Sequence, residues 1–165
     1  MKRINSTRRI ILGIDPALTK TGWGIVVSLN NTLSFVSSGT IKTNPKESLS
    51  ERLFFIHNSI NKVIQTYNPS EVAIEETFVN KNPVSSLKLG HARGVLMLSS
   101  AIFGLKISEY ASTAVKKAVV GVGRADKNQV GVMVKYLMPK ADFKTEDEAD
   151  ALAIAICHIN QSLNY

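Results

Sequence analysis

A chain of 165 residues, 44% hydrophobic and 20% charged, has ordinary globular composition, which excludes a disordered, collagenous or low-complexity protein and supplies apolar surface for a self-sufficient core. Its longest apolar stretches, around Val119 and from Ala151 to Ile156, fall well short of the roughly 20 residues of a membrane-spanning helix. The single cysteine, Cys157, cannot form an internal disulfide, and no secretory leader pattern opens the chain, so a cytoplasmic protein without membrane association is expected. Twenty Lys plus Arg against thirteen Asp plus Glu leave a net charge of +7, a balance that favours polyanionic partners such as nucleic acid.

Ile10, Ile11, Leu12 and Ile14 form a near-continuous apolar run bounded by Pro16, the pattern of a strand buried on both faces, with Asp15 at its end. Gly22 to Leu29 is a second β-rich run, Asn30-Asn31 supplies turn chemistry, and Leu33 to Ile41 makes a third run, so an antiparallel meander is predicted. The period then changes. Leu49, Leu53, Ile56, Ile60, Val63 and Tyr67 recur at steps of four and three, which marks an amphipathic helix ended by Asn68-Pro69. Val72-Ala73-Ile74-Glu75 reads as a fourth, buried strand reached by a βαβ crossover.

Pro83 suits the first turn of a second helix, running through Leu87, Leu89 and Val95 to about Phe103, and Leu105 to Tyr110 returns to strand character. Ser112 or Thr113 is expected to cap a short helix. Gly121-Val122-Gly123 interrupts the chain before another helix from about Lys127 to Leu137, which Pro139 stops. Thr145-Glu146-Asp147-Glu148 has the form of a capping box, in which Thr145 and Glu148 satisfy each other's backbone N–H groups, and starts the final helix. No repeat, linker or charge block marks a boundary, so residues 1–165 are expected to form one domain.

Acidic residues ordinarily stay in solvent, because an ionised carboxylate taken out of water without a partner is too costly for a fold to carry. Asp15 nevertheless follows Ile-Leu-Gly-Ile, and Glu75 follows Val-Ala-Ile. The bland alternatives are a turn former before Pro16 and ordinary strand-end charges. Glu75 and Glu76 must point to opposite faces of a strand, and spacing does not say which one turns inward. Asp147 and Asp150 lie three apart on the final helix and share a face with Ala151 and Ile154. The helix dipole accounts for an acid at Asp147 better than for one at Asp150, which lies deeper.

Brought together, these carboxylates would repel one another and raise some of their own pKa values unless a cation neutralised them. Magnesium suits such hard oxygen donors. Two such ions can activate water on one side of a phosphodiester and stabilise the leaving oxygen on the other, which makes the expected site that of a nuclease.

Ile11-Leu-Gly-Ile-Asp-Pro16, Ala73-Ile-Glu75, Leu87-Lys-Leu-Gly90, Ala92-Arg-Gly-Val95, Val119-Val-Gly121 and Ala149-Asp-Ala-Leu-Ala-Ile-Ala155 occur in this order. Through them the chain resembles the RuvC-type Holliday-junction resolvases of the RNase H-like superfamily over nearly its full length. The resemblance implies an α/β, RNase H-like fold: a mixed central five-stranded sheet, an antiparallel meander followed by parallel strands, flanked by helices on both faces. It implies that Asp15, Glu75, Asp147 and Asp150 are catalytic and bind two Mg2+ ions, with Mn2+ able to substitute, and it selects Glu75 over Glu76.

The resemblance further implies a homodimer acting on four-way junction DNA in recombination and repair, making paired, symmetric nicks near the crossover with a preference for thymine-containing sites. The RuvA and RuvB branch-migration complex is the implied partner. A two-fold dimer matches a substrate of approximate two-fold symmetry, and the helix from Pro83 would carry the dimer contact. The implied DNA-binding residues are Phe78, which would stack on a base at the crossover in a polar setting with Lys81, and Lys116, Arg124 and Lys127. Lys116 and Lys127 would lie near the scissile phosphate, with Lys117 adding charge around the 121–123 turn.

Two departures from the family pattern are Ala17, where glycine commonly follows Asp-Pro, and His91, where glutamine is common. Cys157 and His158 are adjacent on a helix and point to different faces, so they are not a zinc pair. Asp15-Pro-Ala-Leu-Thr19 also resembles the phosphate loop of actin-like ATPases and sugar kinases, but those proteins pair two such domains. The remaining alternatives are an RNase H-like nuclease processing ribosomal RNA precursors and a non-catalytic junction-binding module.

Overall fold

Four consecutive buried residues, Ile11 to Ile14, make β1 (Arg9–Asp15) the centre of the sheet. The computed structural model describes residues 8–30, 32–76, 82–121, 123–124 and 126–162. The remaining elements are β2 (Lys20–Leu29), β3 (Thr32–Lys42), α1 (Leu49–Tyr67), β4 (Glu71–Glu75), α2 (Pro83–Ile102), β5 (Lys106–Tyr110), α3 (Ser112–Val120), α4 (Lys127–Leu137) and α5 (Glu146–Ser162). The strand order is β3-β2-β1-β4-β5. β1, β2 and β3 pair antiparallel as the expected meander, while β1 with β4 and β4 with β5 pair parallel.

Two apolar layers lie on opposite faces of this sheet. Leu12, Ile14, Ile25 and Ile74 pack with Ile56 and Ile60 of α1 and with Ala92 and Leu96 of α2. Ile11, Val26 and Ala73 pack with α3, α4 and α5. Period-two alternation along β1 and β4 thus sends successive residues to different helical layers. Among the described residues no helix is long and apolar enough to cross a membrane.

α5 lies unusually close to the sheet. A Cβ on Gly13 would stand 2.0 Å from the Ala151 carbonyl oxygen, and one on Gly22 would stand 2.0 Å from that of Asp147. Only hydrogen fits at these two strand positions. The helix answers with small side chains, Ala151 and Ala155, both fully buried, so its backbone rests on β1 and β2.

Helix ends depart from the sequence reading in two places. Ala111 is the N-cap of α3 and no side chain caps it, so neither Ser112 nor Thr113 takes that role. At α5, Thr145 Oγ1 accepts from the Glu148 N–H at 3.2 Å, but the reciprocal half of the box is absent. The Glu148 carboxylate instead accepts from the Ser38 hydroxyl at 2.7 Å, the Thr145 hydroxyl at 3.2 Å and the Lys144 N–H at 3.3 Å. A buried acid that accepts from Ser38 of β3 as well as from two local donors ties the start of α5 to β3, a use that a local capping rule does not foresee. Asp126 and Gln129 form a full capping box at α4, and Asn82 caps α2 by accepting from Val84 and Ser85 N–H groups at 3.0 and 3.3 Å.

Candidate active site

The register of the parallel pair β1 and β4 decides which acids meet. Ile14 stands opposite Ile74, and both enter the α1 and α2 layer. The next residues, Asp15 and Glu75, therefore turn to the α5 side at the same end of adjacent strands. Glu76 lies beyond β4, exposed, with its N–H donating to Tyr110 O at 2.8 Å. Strand pairing thus separates the two adjacent glutamates.

Asp15, Glu75 and Asp150 line a cavity of about 190 Å³ together with Ser112, Val115, Lys116, Val130 and Ile154. Asp150 arrives on the second turn of α5, which the contact over Gly22 and Gly13 holds against the strand ends. Asp147 is half-buried one turn earlier. It does not line this cavity, yet its charge reaches Asp15.

Burial, and after it the negative charges of Glu75, Asp150 and Asp147, push the Asp15 carboxyl up to about 8; a hydrogen bond with Glu75 acts in the same direction. Among the described residues no three carboxylate, imidazole or thiol groups already close around one point suited to a metal. The donors nevertheless fit a hard divalent cation: they are carboxylate oxygens, they converge on an accessible cavity, and their mutual repulsion is what positive charge relieves.

Lys116 is the cation of the lining, half-buried at the cavity wall. Lys117 and Arg124 are exposed. Phe78 and Lys81 lie outside the described residues, as does the side chain of Lys127, the first residue of α4. His158 is remote from this cavity. It is buried at the other end of the sheet, where it contacts Tyr110 and Glu71 at 2.7 and 2.8 Å.

Two neighbours of the site went unassigned in the sequence reading. Ser112, treated there as a cap, lines the cavity. Arg93 donates from Nε to the Glu75 carbonyl at 3.3 Å and pairs with Glu109 on β5, bracing the strand end that carries Glu75. Its signal was the Ala92-Arg-Gly-Val95 segment, which had no role attached.

A family model described as crossover junction endodeoxyribonuclease RuvC matches residues 11–158. The chain belongs to the RuvC family. The RuvC relative from Mesorhizobium japonicum is 57% identical over 148 residues, 90% of this chain and 88% of that protein. The one from Rhizobium leguminosarum is 55% identical over the same length and shares. Among solved structures, T. thermophilus RuvC in complex with a Holliday junction substrate superimposes with a TM-score of 0.86 at 31% identity, covering 93% of this chain and 94% of that one. A yeast mitochondrial Holliday junction resolvase shares the fold alone, at TM-score 0.62 and 12% identity over 94% of this chain and 81% of its own. The fold is thus RNase H-like, as expected, and the RuvC match spans all four carboxylates.

Proposed function

We propose that the protein resolves four-way DNA junctions in recombination and repair as a Mg2+-dependent crossover junction endodeoxyribonuclease, with Asp15, Glu75, Asp147 and Asp150 as its catalytic, metal-holding residues. The observation that carries this reading is the convergence of Asp15 from β1, Glu75 from β4 and Asp150 from α5 on one cavity, where burial and mutual repulsion push the Asp15 carboxyl upward. A fold tolerates such repulsion where a function uses it.

In this reading Asp15, Glu75, Asp147 and Asp150 would hold the two ions through their carboxylate oxygens, and Mn2+ would be able to replace Mg2+. Bound there, the ions would lower the pKa of an attacking water and stabilise the leaving oxygen. Lys116, on the cavity wall, offers a positive charge to a non-bridging phosphate oxygen. Val115, Val130 and Ile154 line the same cavity, and their low polarity beside the acids strengthens the charge interactions among them. Phe78, Lys81, Arg124 and Lys127 complete the DNA contact in this reading.

A homodimer formed through α2 belongs to the same proposal. Leu87, Leu98 and Ile102 are each at least 60% exposed on that helix, and their spacing places them on one stripe. A two-fold pairing there would present two cavities to a two-fold substrate. Family membership supports a cytoplasmic, single-domain enzyme working with the RuvA and RuvB branch-migration complex.

Incubation of the protein with an end-labelled mobile four-way junction, a linear duplex and a structured RNA, each with Mg2+ or with chelator, tests the proposal. Paired nicks in the junction alone, lost on chelation, are expected. Equal cutting of the duplex, cutting of RNA alone, or binding without nicks would overturn it.

A further inference from the structure

Lys88 sits in the Leu87-Lys-Leu-Gly90 segment, yet neither the acidic cavity nor the apolar stripe of α2 uses it. With Ser85 of α2, Arg52 of α1 and the turn from Pro16 to Thr19, it lines a second cavity of about 310 Å³. That turn follows Asp15 directly, so the end of β1 separates the two cavities. One is acidic; no acid lines the other.

Arg52 is only 9% exposed. Its Nε donates to Thr43 Oγ1 at 2.9 Å, and its Nη2 donates to Thr19 Oγ1 at 3.2 Å and to the Leu18 carbonyl at 3.4 Å. All these acceptors are neutral. Among the described residues no carboxylate lies within ion-pair distance of Arg52, and its Nη1 has no hydrogen-bond partner. A guanidinium keeps its charge when buried, and a buried cation without an anion is unfavourable. Lys88 adds a second positive charge from the exposed rim, and the hydroxyls of Thr19 and Ser85 add neutral donors. A planar fork, an ammonium and hydroxyls around a concave, acid-free space form a phosphate-binding set.

We infer that this cavity seats a backbone phosphate of the DNA strand being cut, next to the scissile one, and so fixes the register of that strand over the carboxylates. The inference rests on the junction-cutting proposal and deepens it. A phosphate of a nucleoside triphosphate has the same chemistry, and the test separates the two sources. Lys88 and Arg52 act here as positioning residues; neither touches the reacting atoms.

The test uses fluorescence anisotropy with a labelled four-way junction in chelator, across a salt series, on the wild type, Lys88→Ala and Lys88→Arg. Losing one phosphate contact should lower the slope of log affinity against log salt by about 0.9 and weaken binding severalfold, with Lys88→Arg restoring both. A strand carrying a neutral methylphosphonate at successive positions around the cut should reveal one position that weakens wild-type binding but not that of Lys88→Ala. Arg52→Lys, checked by its melting temperature for an intact fold, should lose sensitivity at the same position. An unchanged slope in Lys88→Ala, additive effects at every methylphosphonate, or displacement of the junction by ATP from the wild type but not from Lys88→Ala would each overturn the inference. Failure of the wild type to prefer the junction over duplex would instead count against the parent proposal, whatever Lys88 does.

Discussion

The same three elements, β1, β4 and α5, carry charge at both ends of the sheet and treat it in opposite ways. At the N-terminal end of β1, Arg9 grips Glu71 through two bonds of 2.7 and 2.8 Å. It also donates to Ser162 Oγ at 2.7 Å. His158 adds a contact to Glu71 at 2.8 Å and is itself met by the Tyr110 hydroxyl at 2.7 Å. The Arg9 hydrogen bond, opposed by burial and helped by His158, holds the Glu71 carboxyl down at about 2. At the other end, burial and like charges push Asp15 up to about 8. Both ends are rich in titratable groups, so density of charge does not distinguish them. Compensation does: around Glu71 opposite charge locks strands to helix, whereas around Asp15 like charges repel one another, an imbalance that a cation would relieve.

The largest effect is expected from removing a proposed ligand at the acidic end. Asp15→Asn should cut single-turnover junction nicking by more than about a hundredfold, beyond the loss typical of an outer contact to a metal ligand, while junction affinity in chelator stays near wild type. The same change should raise the melting temperature of the metal-free protein at pH 8 by several degrees, the equivalent of about 2 kcal/mol for a chain of this size, because it removes a carboxyl whose ionisation the fold disfavours. A melting temperature that falls would mean that the Asp15 carboxylate is not under strain.

Breaking the compensated end should do the reverse. Glu71→Gln leaves Arg9 without its anion and weakens the contact with His158, and should lower stability by about 2 kcal/mol in urea titration, with nicking by the folded fraction unchanged. Loss of nicking in fully folded protein would erase the distinction between the ends.

The two ends should also separate along the pH axis. Between about 3.8 and about 8 the folded protein holds on Asp15 a proton that the unfolded chain has released, so metal-free stability should fall with rising pH across that window. The contribution of Glu71 runs the other way: it is present above its ordinary value of 4.5 and lost as pH falls towards about 2. Thermal melts with chelator and with Mg2+ should therefore diverge more at pH 8 than at pH 5.

Cys157 offers the smallest but sharpest readout. Its thiol is fully buried on α5 and burial pushes its pKa up to about 11. Alkylation under native conditions should be slow in the wild type and in Asp15→Asn, and faster in Glu71→Gln, where the end of α5 is loosened. Equal rates in all three would mean that the paired end does not hold the helix.

Strong local periodicity made the architecture legible. α1 begins at Leu49 and ends at Tyr67, as the steps of four and three implied, and Asn68 closes it in the left-handed conformation at φ 45°. What failed was set by distant partners: the Glu148 carboxylate accepts from the hydroxyl of Ser38, on β3, instead of closing the second half of its capping box. In the candidate site, strand-end acids were visible as charges against apolar runs, but the choice between Glu75 and Glu76 needed the pairing of Ile14 with Ile74. Arg52 lies four residues before Ile56, on the inner face that the helical period had already drawn. The signal was present, and reading only apolar positions passed over it.

The flush seating of α5 on Gly13 and Gly22 also imposes an order in time. The acids on β1 and β4 leave the ribosome well before Asp147 and Asp150, and nothing draws the second pair to the first until the helix has docked. If the four acids cut DNA as proposed, hydrolytic competence arrives only with completed tertiary structure. A half-made chain carries acids too few and too loosely placed to injure DNA.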